Sequence, residues 1–253
     1  MKVKEIAAWL NELAPFETAE GFDNVGLLIG DPEKEVTNVV FGMDVTESLV
    51  QEAIDVHAEL IITHHPFIFH GLKRIDYTGP QGRALCMVTQ HRISVIAAHT
   101  NWDKAPGGVG DSLAKALQLT GITHADDYVL IGALPYAMTH AEFSSHVQSV
   151  LHIVPRCYPA ADEPITRVAV AGGAYGEGYM AALAAGAQAF VVGEIAHHEI
   201  LDACARGITI FDAGHHATEW PGVKALYERF MADHPSLKAH LHTQAPYPGA
   251  FLA

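Results

Sequence analysis

Three short clusters in this chain have residue types that could bind metal ions: Thr63-His64-His65-Pro66, His99-Thr100-Asn101-Trp102-Asp103 and Gly214-His215-His216-Ala217-Thr218-Glu219. Each closes an apolar, strand-like run, with Leu60 to Ile62 leading to the first, Val95 to Ala97 to the second, and Ile210 and Phe211 to the third. In α/β sheets ligands gather beyond the carboxyl ends of the strands, so three such tips can converge on one pocket. Imidazole nitrogens with carboxylate oxygens suit zinc, manganese or iron. The pattern predicts a metal centre with more than one ion.

Within the clusters, His64 and His65 are adjacent and would point to opposite faces of a regular strand. At a strand end broken by Pro66, both can turn towards one centre or two neighbouring ones. Asp103 stands beside Pro106-Gly107-Gly108, a loop with unusual backbone freedom, where a carboxylate can bridge two cations. His215 and Glu219 are one helical turn apart and share a face, whereas His216 lies about 100° round the helix and faces elsewhere. His99 and Asn101 suit direct ligation or the orientation of a ligand equally well. If the ions activate water, a side chain near their open face must move its proton; His99 is the first candidate and His198 the second.

Other motifs carry less. Gly193-Glu194 with His197, His198 and Glu199 is not the zinc-protease pattern, because Gly rather than His precedes Glu194. Glu194 and His198 are expected in a layer that meets substrate or orients the ligands. The glycine-rich run Gly172 to Gly178 lacks both nucleotide fingerprints and reads as a tight turn. There is no Gly-x-Ser-x-Gly elbow and no cysteine in an evidently reactive setting, which leaves covalent nucleophilic hydrolysis with little support.

The elements that must position these residues alternate between β and α, the mark of a layered α/β fold. Helical patterns occupy 4–14, 47–57, 82–91, 141–154, 179–185, 199–206 and 220–233, and Asp111 opens a further helix. Strand-like runs fall at 25–29, 36–43, 61–62, 93–98, 128–134, 167–171, 189–192, 208–211 and 237–242. The acidic, turn-rich Thr123-His124-Ala125-Asp126-Asp127 is the expected domain boundary, giving two similar-sized α/β halves, 1–126 and 127–253, with the metal site between them.

Composition limits the partners. Fifteen Lys and Arg against 29 Asp and Glu give a formal net charge of -14 and a pI of about 5.5. That balance disfavours nucleic acid, whose grip rests on cationic side chains meeting phosphate. No apolar run approaches the roughly 18 residues of a membrane span. Cys86, Cys157 and Cys204 are odd in number and form no close pair, so a disulfide framework is not expected. With no secretory pattern at the N-terminus, cytoplasmic residence is the expectation.

Taken together, Asp23-Asn24-Val25-Gly26-Leu27, Thr63-His64-His65-Pro66, His99 to Asp103 followed by Ala105-Pro106-Gly107-Gly108-Val109, and Gly214 to Glu219 resemble the NIF-three-like dinuclear-metal proteins, also catalogued as type-two GTP cyclohydrolase I homologues. The resemblance runs from about Gly21 onwards, in the same order. It implies a two-domain α/β subunit, a homohexameric ring, and two divalent ions (Zn, Fe or Mn) held by His64, His65, Asp103, His215 and Glu219. Trp102 replaces a more usual Leu, and His70 stands where the family often has a basic residue. Long members insert a domain between the halves; the short link from Asp103 to Arg167 makes this the compact form. The chemistry implied is a metal-dependent hydrolase acting on a small molecule, with nucleotides such as GTP among the candidates and Lys73, Arg74, Arg92 and Lys104 as scattered cations. The alternative is a metal-binding or metal-delivery protein without turnover.

Overall fold

A computed structural model describes residues 1–244. In chain order the first elements are α1 (Val3–Leu13), β1 (Gly26–Ile29), β2 (Asn38–Gly42), α2 (Glu47–Asp55), β3 (Leu60–Thr63), α3 (Pro80–Gln90), β4 (Ser94–Ala97) and α4 (Thr100–Lys104). There follow α5 (Val109–Ala116), β5 (Thr120–His124), β6 (Leu130–Met138), α6 (His140–Leu151), β7 (Arg156–Tyr158) and β8 (Ile165–Val170). The last are α7 (Tyr179–Ala184), β9 (Ala189–Val192), α8 (His197–Ala205), β10 (Thr209–Asp212), α9 (His215–Asp233) and β11 (Lys238–Leu241). The fold is mixed α/β, as the alternating pattern predicts. No helix among the described residues is long and apolar enough to cross a membrane.

The chain divides into two compact units. Among the described residues, the first comprises 1–106 and 223–244, and the second spans Gly107–Gly222. The division therefore falls at Pro106/Gly107 and again inside α9, not at the expected 126/127 boundary. The acidic stretch at 123–127 is instead a tight turn within one sheet. Asp126 Oδ1 accepts from the amides of Tyr128 (2.8 Å) and Val129 (2.6 Å), and the flanking strands β5 and β6 pair antiparallel. A side-chain-capped turn and a domain linker share the same composition.

In the first unit the sheet order is β1-β4-β3-β2-β11. Strands β4, β3, β2 and β11 run parallel, and β1 is antiparallel to β4. Leu60, Ile61 and Ile62 form a continuous apolar run because both faces are covered. Val40, Ile61 and Val95 pack with Leu49, Val50 and Ala53 of α2 and Ala84, Leu85 and Val88 of α3. Phe41, one residue on, meets Tyr227 and Phe230 of α9, and Trp9 of α1 lies edge-on to Phe230 at 5.4 Å. Helix α1 buries Val3, Ile6 and Leu10, a spacing that puts them on one stripe.

In the second unit the order is β5-β6-β8-β9-β10-β7, with β8, β9 and β10 parallel and the other pairs antiparallel. Side chains again alternate between faces. Val168, Val170, Val191 and Phe211 pack with Leu113 of α5 and Phe143, Val147 and Leu151 of α6. Ala169, Phe190, Val192 and Ile210 pack with Tyr179 and Ala182 of α7 and Ala203 of α8. Helix α6 opens on a reciprocal cap, with Thr139 Oγ1 accepting from Glu142 N and Glu142 Oε2 from Thr139 N. Asp111 does not open α5: the helix starts earlier, at Val109, and Asp111 Oδ2 accepts from Gly107 N at 2.7 Å, tying down the loop before it.

Candidate metal centre

The first unit gathers its donors where β3 and β4 end. Beyond β3 the amides of His64 and His65 still donate to the carbonyls of Gly42 and Met43 beside β2, so the two residues stay tied to the sheet as the strand ends. Their rings lie 5.1 Å apart, centroid to centroid, on the same side and not on opposite faces. His64 is buried, and its Nδ1 donates to Ala98 O at 2.9 Å. A carbonyl can only accept, so Nδ1 carries the proton and Nε2 presents its lone pair. His65 Nδ1 is held at 2.7 Å from Asp44 Oδ1, and His99 Nδ1 at 2.9 Å from Asp23 Oδ1. One nitrogen from each of His64, His65 and His99 lies within 4.8 Å of the others.

Asp103 joins this group on a short helix, α4, where the sequence pattern suggests a loop. The amides of Trp102 and Asp103 donate to His99 O at 2.8 and 3.0 Å, closing that turn. It brings Asp103 Oδ1 to 3.5 Å from His64 Nε2. Asn101 is an anchor and not a ligand: it is fully buried, takes the His99 amide at 3.0 Å, and donates to Ala14 O at 2.8 Å. Asp23 does similar service for His99. Burial alone would raise its carboxyl pKa, but hydrogen bonds from His99 and Thr100 outweigh burial and hold it well below the usual carboxylate range.

In the second unit, β10 delivers the chain through Gly214 (φ +79°) into α9. His215 opens α9 and Glu219 lies one turn further on, with His215 Nε2 3.1 Å from Glu219 Oε1. His215 Nδ1 is held by Glu194 Oε1 at 2.9 Å, a contact that fixes the orientation of the ring. Glu219 is only 3% exposed. The glycine-rich turn makes room for it: Gly173 has φ +61°, and a Cβ there would overlap Glu219 Oε1. Gly173 N also donates to Thr218 Oγ1 at 3.1 Å, fastening the turn to α9. Gly193 is equally hemmed in, since a Cβ would meet Gly173 O and Thr218 Oγ1 at 2.6 Å. The run is thus a spacer for the carboxylate, a role its sequence does not announce.

His216 turns away and stacks on Trp220, with rings 5.4 Å apart and 13° from parallel. His198 is exposed near the start of α8 and belongs to none of the candidate metal groups among the described residues. The orienting carboxylates Asp44 and Asp23 are not picked out by the sequence pattern. Asp44 carries the same signal as the other clusters, a carboxylate just past an apolar strand, β2; Asp23 follows no strand and is marked only by the Asp23-Asn24-Val25-Gly26-Leu27 motif.

The donors of each unit fit a divalent metal. His64, His65 and His99 in the first unit and His215 in the second each have Nδ1 fixed by a carbonyl or carboxylate, which orients the ring and frees Nε2, the usual outer arrangement of metal-binding histidines. Beside His65, the first unit has an open cavity of about 510 Å³ lined by residues 44–48, Pro66, Phe67, Pro80 and Gln81, with no Lys or Arg among them. Of the scattered cations, Lys104 is engaged with Glu20 at 2.5 Å.

Residues 1–246 match the Duf34/NIF3 (NGG1p interacting factor 3) family. The chain belongs to the DUF34/NIF3 family. Among DUF34/NIF3 relatives, it is 34% identical over 238 residues to a Clostridium perfringens protein called GTP cyclohydrolase 1 type 2 homolog, covering 90% of this chain and 91% of that one. A Streptomyces coelicolor protein of the same name is 31% identical over 87% of this chain and 82% of its own. Among solved structures, a Staphylococcus aureus hypothetical protein superposes with a TM-score of 0.92 at 29% identity, covering 98% of each chain. The fold and the family expected from the motifs are both borne out.

Proposed function

We propose that this DUF34/NIF3 protein binds two divalent ions through His64, His65 and Asp103 of the first unit and His215 and Glu219 of the second, and that it is a metal-dependent hydrolase of a small molecule. The observation that carries this reading is the fixing of Nδ1 on every imidazole of the set, which leaves Nε2 to a metal. When bound, such a pair supplies Lewis acidity and a water acidified to about neutral pH. The chain's own part is to hold the ligand rings in one tautomer and to move a proton. His99 is suited to moving the proton. Asp23 keeps its Nδ1 protonated, which leaves Nε2 to accept a proton, and its side chain is 17% exposed.

GTP is a candidate substrate through the name carried by the relatives. The cavity beside His65 offers no cationic partner for a triphosphate, which favours an uncharged ester or cyclic amide in that space. Metal delivery without turnover is the second reading, favoured by the exposure of Glu194 and His215, which leaves a ligand open to exchange. A homohexamer is part of the proposal, on the strength of the family resemblance; light scattering on the purified chain should give six copies, and a monomer would overturn it.

The test is elemental analysis of the protein with a screen of nucleotides, phosphoesters and cyclic amides. Two ions per chain are expected. Asp103→Ala and Glu219→Ala should each lose metal, and His216→Ala should keep it. Unchanged metal in both carboxylate variants would overturn the ligand assignment.

A further inference from the structure

Ser48, Glu52 and His242 are not among the proposed metal ligands, although Ser48 and His65 line one cavity, and they form a hydrogen-bonded chain inside the first unit. His242 follows β11, is 8% exposed, and is fixed by its amide to Phe41 O at 2.8 Å. Its Nδ1 lies 2.5 Å from Glu52 Oε2, and its Nε2 lies 3.4 Å from Ser48 Oγ. Ser48 and Glu52 are one turn apart on α2, so both reach one imidazole. A carboxylate only accepts, so Nδ1 carries the proton and Nε2 presents a lone pair. The Ser48 hydroxyl is then the donor to Nε2. Its other contact agrees: Thr46 Oγ1 accepts from Leu49 N at 3.2 Å and lies 2.9 Å from Ser48 Oγ, to which it can donate.

This set of donors and acceptors matches the one a nucleophilic serine needs. A hydroxyl, an imidazole that accepts its proton, and a carboxylate that fixes the imidazole tautomer constitute an acyl-transfer relay, recognised by geometry and not by sequence order. A separation of 3.4 Å is within the looser range found before substrate binds. Ser48 also lines the cavity of about 510 Å³, a volume suited to a small molecule. The backbone N–H groups of Glu47 and Ser48, in the first turn of α2, take no acceptor among the described residues and lie at the same wall.

We propose that Ser48, His242 and Glu52 form a second, metal-independent catalytic site that cleaves small uncharged carboxylic esters. Ser48 Oγ attacks the carbonyl carbon while its proton passes to His242 Nε2. The carbon–oxygen bond to the leaving group breaks as His242 returns that proton to the departing alkoxide. Water then adds to the acyl-serine, giving a proton to His242, and the carboxylic acid leaves as Ser48 regains its hydrogen. The absence of Lys and Arg from the cavity lining selects uncharged acyl groups. No elbow motif marks this serine, because it sits in the first turn of a helix and its histidine comes from the far end of the chain.

The test uses the full chain, stripped of metal by chelation and desalting, with a fluorophosphonate probe and p-nitrophenyl butyrate. One adduct is expected, mapped by peptide mass to Ser48, together with ester hydrolysis that chelation leaves intact. Ser48→Ala should abolish both. His242→Ala should slow labelling by about 100-fold or more, the range of a general base. Glu52→Gln keeps the shape and should slow labelling about tenfold or more through the wrong tautomer, so the proposal stays exposed even if His242→Ala misfolds. Labelling elsewhere, labelling undiminished in Glu52→Gln, or activity that needs added metal would overturn it. These outcomes are independent of metal content, which tests the dinuclear centre separately.

Discussion

Replacing Gly173 with alanine separates the backbone from the carboxylate it shelters. Gly173 has φ +61°, and so does Gly121 in β5, but their surroundings differ. A Cβ at Gly121 meets nothing within 4 Å, while one at Gly173 overlaps Glu219 Oε1 and comes within 3.4 Å of His215 Nε2. The left-handed backbone costs about 1–2 kcal/mol for an L-residue at either position. Overpacking adds about 1–3 kcal/mol at Gly173 alone. Gly121→Ala should therefore lose about 1–2 kcal/mol and Gly173→Ala about 2–5 kcal/mol, with Tm falling roughly 2–4 °C per kcal/mol in a domain of this size. Metal should follow the same divide. Gly121→Ala keeps its affinity, and Gly173→Ala loses about 10–100-fold or more, the usual cost of disturbing the setting of a ligand. Thermal melts and isothermal titration with zinc on both variants provide the comparison. If the two match in both melting and metal affinity, the spacer role of the glycine turn is wrong.

Three further outcomes are expected. Once a substrate is known, His99→Ala should lower turnover by about 10²–10⁴-fold with metal content retained; loss of both together would make His99 a ligand, and full activity would make it a packing residue. The Asp23 carboxyl, held below its ordinary range, stabilises the fold at pH values above its unfolded pKa of about 3.8, and this contribution drains away as pH falls towards the folded value. Denaturation of Asp23→Asn and the parent should thus differ at about pH 6 and converge on acidification; a difference independent of pH would refute the linkage. Neutral imidazole is the ligand form and ordinary histidine protonates near about pH 6.5, so at least one ion should be lost in mild acid; occupancy that stays flat to about pH 4 would exclude histidine ligation.

Much of this was legible because chemistry and periodicity coincide. Leu60-Ile61-Ile62 reads as an apolar, strand-like run and is a strand buried throughout, which places His64 and His65 at a strand tip. The spacing of His215 and Glu219 is sufficient to put them on one face, and they lie 3.1 Å apart. What escaped depends on partners distant in sequence. Thr120–His124 looks like a linker because its side chains are mostly exposed, and only pairing with β6 makes it a strand. Arg156–Tyr158 is too short to show a period and is a strand only because β10 lies beside it. His198 shares the residue type of the ligands, but a place near the exposed start of α8 leaves it no part in the described site. Asp23 and Asp44 act on rings supplied by other strands, and no local spacing encodes that.

Strand β11 closes the first sheet by pairing parallel with β2, Lys238 opposite Asn38 and Leu241 opposite Phe41. During synthesis this edge must wait. All six strands of the second sheet, from Thr120 to Asp212, leave the ribosome earlier and can pair among themselves. The outer edge of β2 meanwhile keeps its amides and carbonyls unpaired, a template for another nascent chain. A ribosome stalled before Lys238 would release a polypeptide with one sheet complete and the other open along β2. Quality-control proteases and holding chaperones should meet this protein at that moment, and at that strand.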